Sequence, residues 1–264
     1  MLHTTLSQWQ PFLALFLLTV FWIWESMAPF FARRHRIRHA VRNLTISLLN
    51  GLVLALVFAG LTINATQITE TSQLGLLHWL GLDGTMLFLS AFILIDLWTY
   101  WWHRLNHGVP FLWRFHRMHH SDPEMDVTTA TRFHVGEIIF SSTIRLLLIP
   151  TIGIPIGVVI LYDFLQLPVI SFHHANISLS GAFDKGLRYF IVSPFMHKVH
   201  HSRSSRETDS NFSSLLSVWD RLFGSYVEKE DYAGIVFGLD DFGDDRTQTI
   251  KGLLSTPGYP VKKS

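Results

Sequence analysis

Three apolar runs constrain this chain most: residues 11–31, PFLALFLLTVFWIWESMAPFF; 44–63, LTISLLNGLVLALVFAGLTI; and 85–102, TMLFLSAFILIDLWTYWW. About 20 helical residues span the hydrocarbon core of a bilayer, and a helix satisfies its own backbone there without water. Each run is therefore expected to cross a membrane as a helix. A cleaved leader fits the first run poorly: no Lys or Arg precedes it and no small-residue cleavage site follows. Arg33, Arg34, Arg36, Arg38 and Arg42 come next, which places that loop in the cytoplasm and the short N-terminus outside. Hydrophobic residues make up 48% of 264, and mean hydropathy is +0.28, both in keeping with a bilayer. A net charge of +1 gives no bulk reason to invoke nucleic acid.

The second run leads outward to a polar stretch at 64–72 and a short apolar piece, LGLLHWLGL, expected on the outer surface with His78 at the interface. The third returns, its Trp and Tyr residues gathered at its inner end as in an aromatic belt. Two more apolar segments, 138–149 and 151–170, flank Pro150. Twelve helical residues reach only about 18 Å, short of a crossing of roughly 30 Å. The expectation is a hairpin entering and leaving on one side, with Arg145 and Asp163 paired or facing inward. Further on, Ser193 and Pro194 open a short helix as cap and first-turn residue. The fold class is all-α: an integral-membrane helical bundle with a cytoplasmic, His-rich helical cap.

Eleven of the fifteen histidines lie between 103 and 201. His103 and His107 stand in HRLNH; His116, His119 and His120 in HRMHH; His197, His200 and His201 in HKVHH. Residues i, i+3 and i+4 of a helix share a face, so each group is expected to aim at one point. One HxxxH is often a helix surface; three such groups within a domain-sized span imply metal, and so many imidazoles imply more than one ion. There is no cysteine, which excludes disulfides, thiolate sites, iron–sulfur clusters and thiolate-ligated haem.

The string from DLWTYWWHRLNH through LWRFHRMHHSDPEMDVTTATRFHVGE, FHHANI and SPFMHKVHH to NFSSLLSVWDRLFGSY resembles the fatty acid hydroxylase superfamily, especially its bacterial sterol desaturase-like members. The likeness covers roughly 90–227, leaving 1–89 as N-terminal membrane helices and loops and 228–264 as a cytoplasmic tail. It implies a membrane enzyme with two non-haem Fe ions that uses O2 and two external electrons to hydroxylate or desaturate a lipid: sterol, fatty acyl or ether lipid. Zinc is expected to substitute on purification, since affinity for imidazole rises past iron along the divalent series. The motifs assign as ligands His103, His107, His116, His119, His120, His174, His197, His200 and His201. His173, and His134 in RFHVGE, remain open between ligand and supporting residue. Glu137 is placed to orient His134, and Asn176 lies beside His174. Phe212–Ser213 stands where Tyr–Gly is usual in the family.

Asp96 lies seven residues before His103 on the same helix face, and an acid in a membrane run is usually functional. It is expected to hydrogen-bond a ligand imidazole, with a structural partnership as the alternative. Asp122, Glu124 and Asp126 are expected as solvated loop carboxylates, and His35 and His39 at the cytoplasmic surface near lipid phosphates. Asp220 and Arg221 are expected to pair. A zinc-dependent hydrolase at the membrane face is the main alternative function, but HExxH and Gly-x-Ser-x-Gly are both missing. A metal transporter would carry its ligands on broken membrane helices. Electrons must come from a separate donor (reductase, ferredoxin or cytochrome), because no Rossmann or cytochrome module is visible.

Overall fold

The computed structural model describes residues 2–32 and 36–260, with side chains from residue 8. Arg33, Arg34 and His35, and the side chain of His3, fall outside the described residues. The chain is 69% helical and has no strand among the described residues. Among the described residues, five segments are long and apolar enough to cross a membrane: Gln8–Met27, Arg36–Trp79, Gly84–Gly108, Val135–Gly153 and Ile156–His174.

Helix α1 (Leu2–Met27) is followed by α2 (Arg36–Val53), a π-turn (Leu54–Phe58) and α3 (Ala59–Thr71), which run on as one rod. The polar stretch expected to end this helix continues it instead. Thr66, Thr69 and Thr71 donate to the carbonyls of Thr62, Ala65 and Gln67 at 3.0, 2.7 and 2.8 Å, so the polar side chains satisfy themselves inside the helix. After the short α4 (Leu76–Trp79), α5 (Gly84–Gly108) extends past the apolar run and carries both His103 and His107. Pro110 opens α6 (Pro110–His120), where its missing N–H costs nothing.

The hairpin forms, with longer arms than the apolar pattern implied. One arm is α7 (Val135–Leu148) plus a π-turn (Ile149–Gly153), and the other is α8 (Ile156–His174). Each is 19 residues, about 28 Å long, close to the full hydrocarbon depth of roughly 30 Å. Both outer ends return to the histidines: Glu137 meets His116 and His174 meets His119. Arg145 and Asp163 pair at 2.7 Å as expected. At the tip, Gly153 sits against Gly75 so closely that a Cβ on Gly75 would lie 2.3 Å from the Gly153 nitrogen; both have positive φ, which glycine alone adopts readily. Glu70 Oε1 accepts the Ile156 N–H at 2.8 Å and caps α8.

Leu17 and Phe21 of α1 pack with Ala175 and Ile177 past the end of α8, while Ile95, Ile149, Val158 and Tyr162 fill the space between α5 and the hairpin. Exposed Phe12, Leu15, Leu56 and Val57 suit a lipid surrounding. Beyond α8 come α9 (Gly181–Leu187), α10 (Pro194–His200), α11 (Ser205–Thr208), α12 (Val218–Leu222) and α13 (Ile250–Leu254). Ser193 caps α10 as expected, accepting from the Met196 N–H at 3.3 Å. The expected tail is not detached: Gln248 bonds Arg132 at 2.7 Å and Ser121 at 2.9 Å, and Arg117 donates to Thr256 and Tyr259 carbonyls at 2.6 Å.

Candidate metal centre

Histidines from α5, α6, α8 and α10 meet at one end of the bundle in two clusters. His103, His107, His116, His120 and His200 form one; His119, His174, His197 and His201 form the other, the nitrogens of each lying within 4.8 Å of one another. All nine ligand candidates are thus brought together. The expectation that each sequence group aims at one point is corrected. His116 and His120, at i and i+4, share the five-histidine cluster while His119 faces the other; His197 and His201 share the four-histidine cluster while His200 faces the first. Successive helical residues turn by about 100°, so an HxxHH group straddles two points.

Hydrogen bonds behind the rings fix their chemistry. His103 Nδ1 donates to the Phe212 carbonyl at 2.8 Å and His200 Nδ1 to the Ser210 carbonyl at 2.6 Å. His116 Nδ1 meets Glu137 Oε1 at 2.8 Å, and His107 Nδ1 meets Asp209 Oδ1 at 3.1 Å. A carbonyl or carboxylate only accepts, so Nδ1 holds the proton and Nε2 presents a lone pair. Yet His103 Nε2 and His116 Nε2 stand 3.1 Å apart. Two lone pairs facing at that distance repel unless a cation lies among them. Two imidazole nitrogens about 2.1 Å from one ion, at right angles, would be separated by about 3 Å. The donor set therefore fits a metal ion.

The four-histidine cluster has the same spacing: His119, His174, His197 and His201 form a chain of Nε2 contacts at 3.1–3.2 Å. Its anchoring is lighter. His174 Nδ1 donates to the Ile170 carbonyl at 2.8 Å, whereas Nδ1 of His119 and of His197 has no hydrogen-bond partner. Burial, joined by neighbouring imidazoles, holds His119, His120, His197 and His201 well below the usual histidine range. Burial also brings His200 down to about 3, against the opposing pull of the Ser210 carbonyl. These rings are neutral at neutral pH, the form that binds metal.

The remaining candidates divide. His173 is buried with its ring centroid 4.0 Å from that of His197, belongs to neither cluster, and lines the adjoining cavity. His134 also stands outside both clusters. Its Nδ1 accepts the Gly136 N–H at 2.9 Å and its Nε2 meets the Leu254 carbonyl at 3.1 Å, so it caps α7 and ties down α13. Glu137 serves His116 rather than His134. Asn176 spends its side-chain amide on the Phe31 backbone, at 2.8 and 2.9 Å. Asp96 accepts from Tyr162 OH at 2.9 Å and Trp219 Nε1 at 2.7 Å, away from the ligand candidates.

Three surface expectations are overturned. Asp122 and Asp126 are fully buried, and so is His39, which bonds both at 2.7 and 3.2 Å. Asn43, Thr129 and buried Arg132 complete this network immediately after His120. Burial alone would raise the Asp122 carboxyl; His39 and Arg132 instead hold it below the carboxylate range. Asp220 does not pair with Arg221. It accepts the N–H groups of Phe212 and Ser213 at 2.7 and 2.9 Å and Ser225 Oγ at 2.7 Å, shaping the loop whose carbonyl holds His103. Sequence reasoning missed Glu25, whose Oε1 accepts from Val127 and Asn176 N–H groups at 2.8 and 2.7 Å. Its signal was an acid within an apolar run.

A cavity of about 190 Å³ opens on the clusters past Trp102, Phe133, Glu137 and His173, and a second of about 240 Å³ continues it between α5, α7 and α8. On another face, a polar cleft of about 610 Å³ is lined by His107, Trp113, Arg203, Asp209 and Asp240. Glu137→Gln keeps the shape but weakens the acceptor behind His116. Metal affinity, read by titration against a chelator, is expected to fall roughly 10–100-fold; an unchanged affinity would remove Glu137 from the site.

The sequence model of the fatty acid hydroxylase family matches residues 88–225, just over half of the chain. Human alkylglycerol monooxygenase is 29% identical over 228 residues, 84% of this chain and 46% of that protein. Ornithine lipid hydroxylase OlsE of Rhizobium tropici is 27% identical, over 65% of this chain and 49% of its own. Human cholesterol 25-hydroxylase is 25% identical, over 52% and 50%. The chain spans about half the length of these relatives, and no solved structure matches it. With motifs, helical bundle and family match in agreement, this chain belongs to the fatty acid hydroxylase family.

Proposed function

We propose that this protein is a membrane monooxygenase that inserts one oxygen atom of O2 into a C–H bond of a lipid, using two iron ions. The observation that carries this reading is the pair of adjoining nitrogen clusters, with facing lone pairs at His103 and His116 that call for a cation. His103, His107, His116, His120 and His200 would hold one ion and His119, His174, His197 and His201 the other. Iron supplies the redox chemistry with O2 that these side chains lack. The chain's own residues orient the imidazoles through Phe212, Glu137, Asp209 and Ser210. Lipid plus O2, two electrons and two protons gives hydroxylated lipid and water.

The lipid enters through the cavities between α5, α7 and α8, and its hydrocarbon stays at bilayer depth. Relatives named for alkylglycerol, ornithine lipid and cholesterol support a membrane lipid as the substrate class. Electrons come from a separate donor, with the polar cleft at His107 open to it. Arg36, at the start of α2, stacks over Trp22 near the histidine end, which by the positive-inside rule favours the cytoplasm for that end. A hydrolytic zinc site keeps three protein ligands and an open position, fewer than either cluster offers. The test is anaerobic loading with ferrous iron, then a reductant and isotopically labelled O2 over a lipid extract. Label in a lipid alcohol is expected; turnover without O2 would overturn the oxygenase reading.

A further inference from the structure

Three helices place a polar side chain at the waist between the two cavities. Thr99 of α5, Ser141 of α7 and Gln166 of α8 line both. Thr99 precedes His103 by one turn, about 6 Å of helix; Ser141 follows Glu137 by the same interval; Gln166 precedes His173 by two turns, about 10 Å. Below the waist the wall is mainly Leu54, Ile95, Trp98, Leu148 and Ile152. Thr99 and Ser141 donate to the Ile95 and Ile138 carbonyls of their own helices at 2.9 and 3.1 Å, so their hydroxyls offer a ligand only acceptor oxygens, and the Gln166 amide is the donor at the waist.

Gln166 is also held in place. Its Nε2 donates to Tyr162 OH at 3.2 Å, Tyr162 OH donates to Asp96 at 2.9 Å, and Trp219 Nε1 donates to the other Asp96 oxygen at 2.7 Å. This chain accounts for an intramembrane acid that the metal clusters leave unused. It fixes one amide hydrogen and leaves the rest of the amide to the waist. The nearby Arg145 is paired with Asp163.

We propose that Thr99, Ser141 and Gln166 form a polar collar that binds an uncharged oxygen-bearing group of the lipid, a hydroxyl or ether oxygen, with hydrocarbon beyond it in the deeper cavity. Asp96 and Tyr162 are positioning residues for Gln166. The collar rests on the reading of these cavities as the lipid path, and it sets a ruler: the bound oxygen lies about 6–10 Å from the histidines.

The test is equilibrium binding of hexadecanol, hexadecyl methyl ether and hexadecane to the metal-free full chain in nanodiscs. It needs no turnover, so its failure is separate from failure of the oxygenase reading. The alcohol and the ether are expected to bind about fivefold more tightly than the alkane, the preference one neutral hydrogen bond supplies. Gln166→Leu should abolish that preference, and Tyr162→Phe should reduce it. Preference for the alcohol alone would identify the group as a hydroxyl, and for both as an oxygen acceptor. Equal binding of all three probes by the wild type, or an undiminished preference in folded Gln166→Leu, would overturn the collar. Should Gln166→Leu fail to fold, Gln166→Met carries the same comparison.

Discussion

Replacing His200 with Ala is expected to reduce bound metal from the proposed two ions per chain to about one and to abolish most turnover. His200 is fully buried, its Nδ1 is committed to Ser210, and its Nε2 faces the five-histidine cluster with no hydrogen-bond partner. Losing an outer partner of a ligand costs roughly 10–100-fold in affinity or activity, and losing the ligand itself should exceed that. His134→Ala is the contrasting variant, since its ring touches Gly136 and Leu254 rather than either cluster. Metal analysis of both should show loss in the first and retention in the second. Full metal content in His200→Ala would remove it from the centre.

Acidification of the metal-free protein should destabilise it steeply. His119, His120, His197, His200 and His201 are held below the ordinary histidine range by burial, His200 at about 3. As pH falls through about 6.5, the unfolded chain takes up protons on these rings and the folded chain does not. Stability present above that pH is therefore lost between about 6.5 and the folded values, each ring contributing up to about 1.4 kcal/mol per pH unit. Asp122 adds to the loss only at lower pH, because its folded carboxyl lies below the usual carboxylate range. Tm measured in detergent from neutral pH down should fall continuously; a flat profile would mean the rings are hydrated and not buried as described. Bound metal should protect until protons displace it.

Much of this was legible in the chain because it depends on local pattern. Apolar runs gave the membrane helices, and Ser193–Pro194 gave the start of α10. The histidine spacings gave eight of the nine residues that converge, and the family resemblance gave the ninth, His174. Errors arose where a polar residue found its partner far along the chain. His39 reads as a surface residue among arginines until α2 packs on the turn after α6 and Asp122 and Asp126 close around it. Asp220 and Arg221 are neighbours in sequence, yet the carboxylate turns to Phe212 and Ser213 and the guanidinium to the rings of Tyr189 and Tyr226.

The sequence by itself determined which imidazoles share a helix face and that the chain is a membrane bundle, because helical periodicity and transfer into lipid are properties of short segments. Only the tertiary structure decided how those imidazoles divide. His119 and His120 are adjacent in the chain but belong to different clusters, since a turn of about 100° per residue aims them apart and only the meeting of α5, α6, α8 and α10 defines what each one faces. The tertiary structure also moved Asp96 from the histidines to Tyr162 and Trp219, because a hydrogen bond forms with whatever the packed helices bring within 3 Å or so.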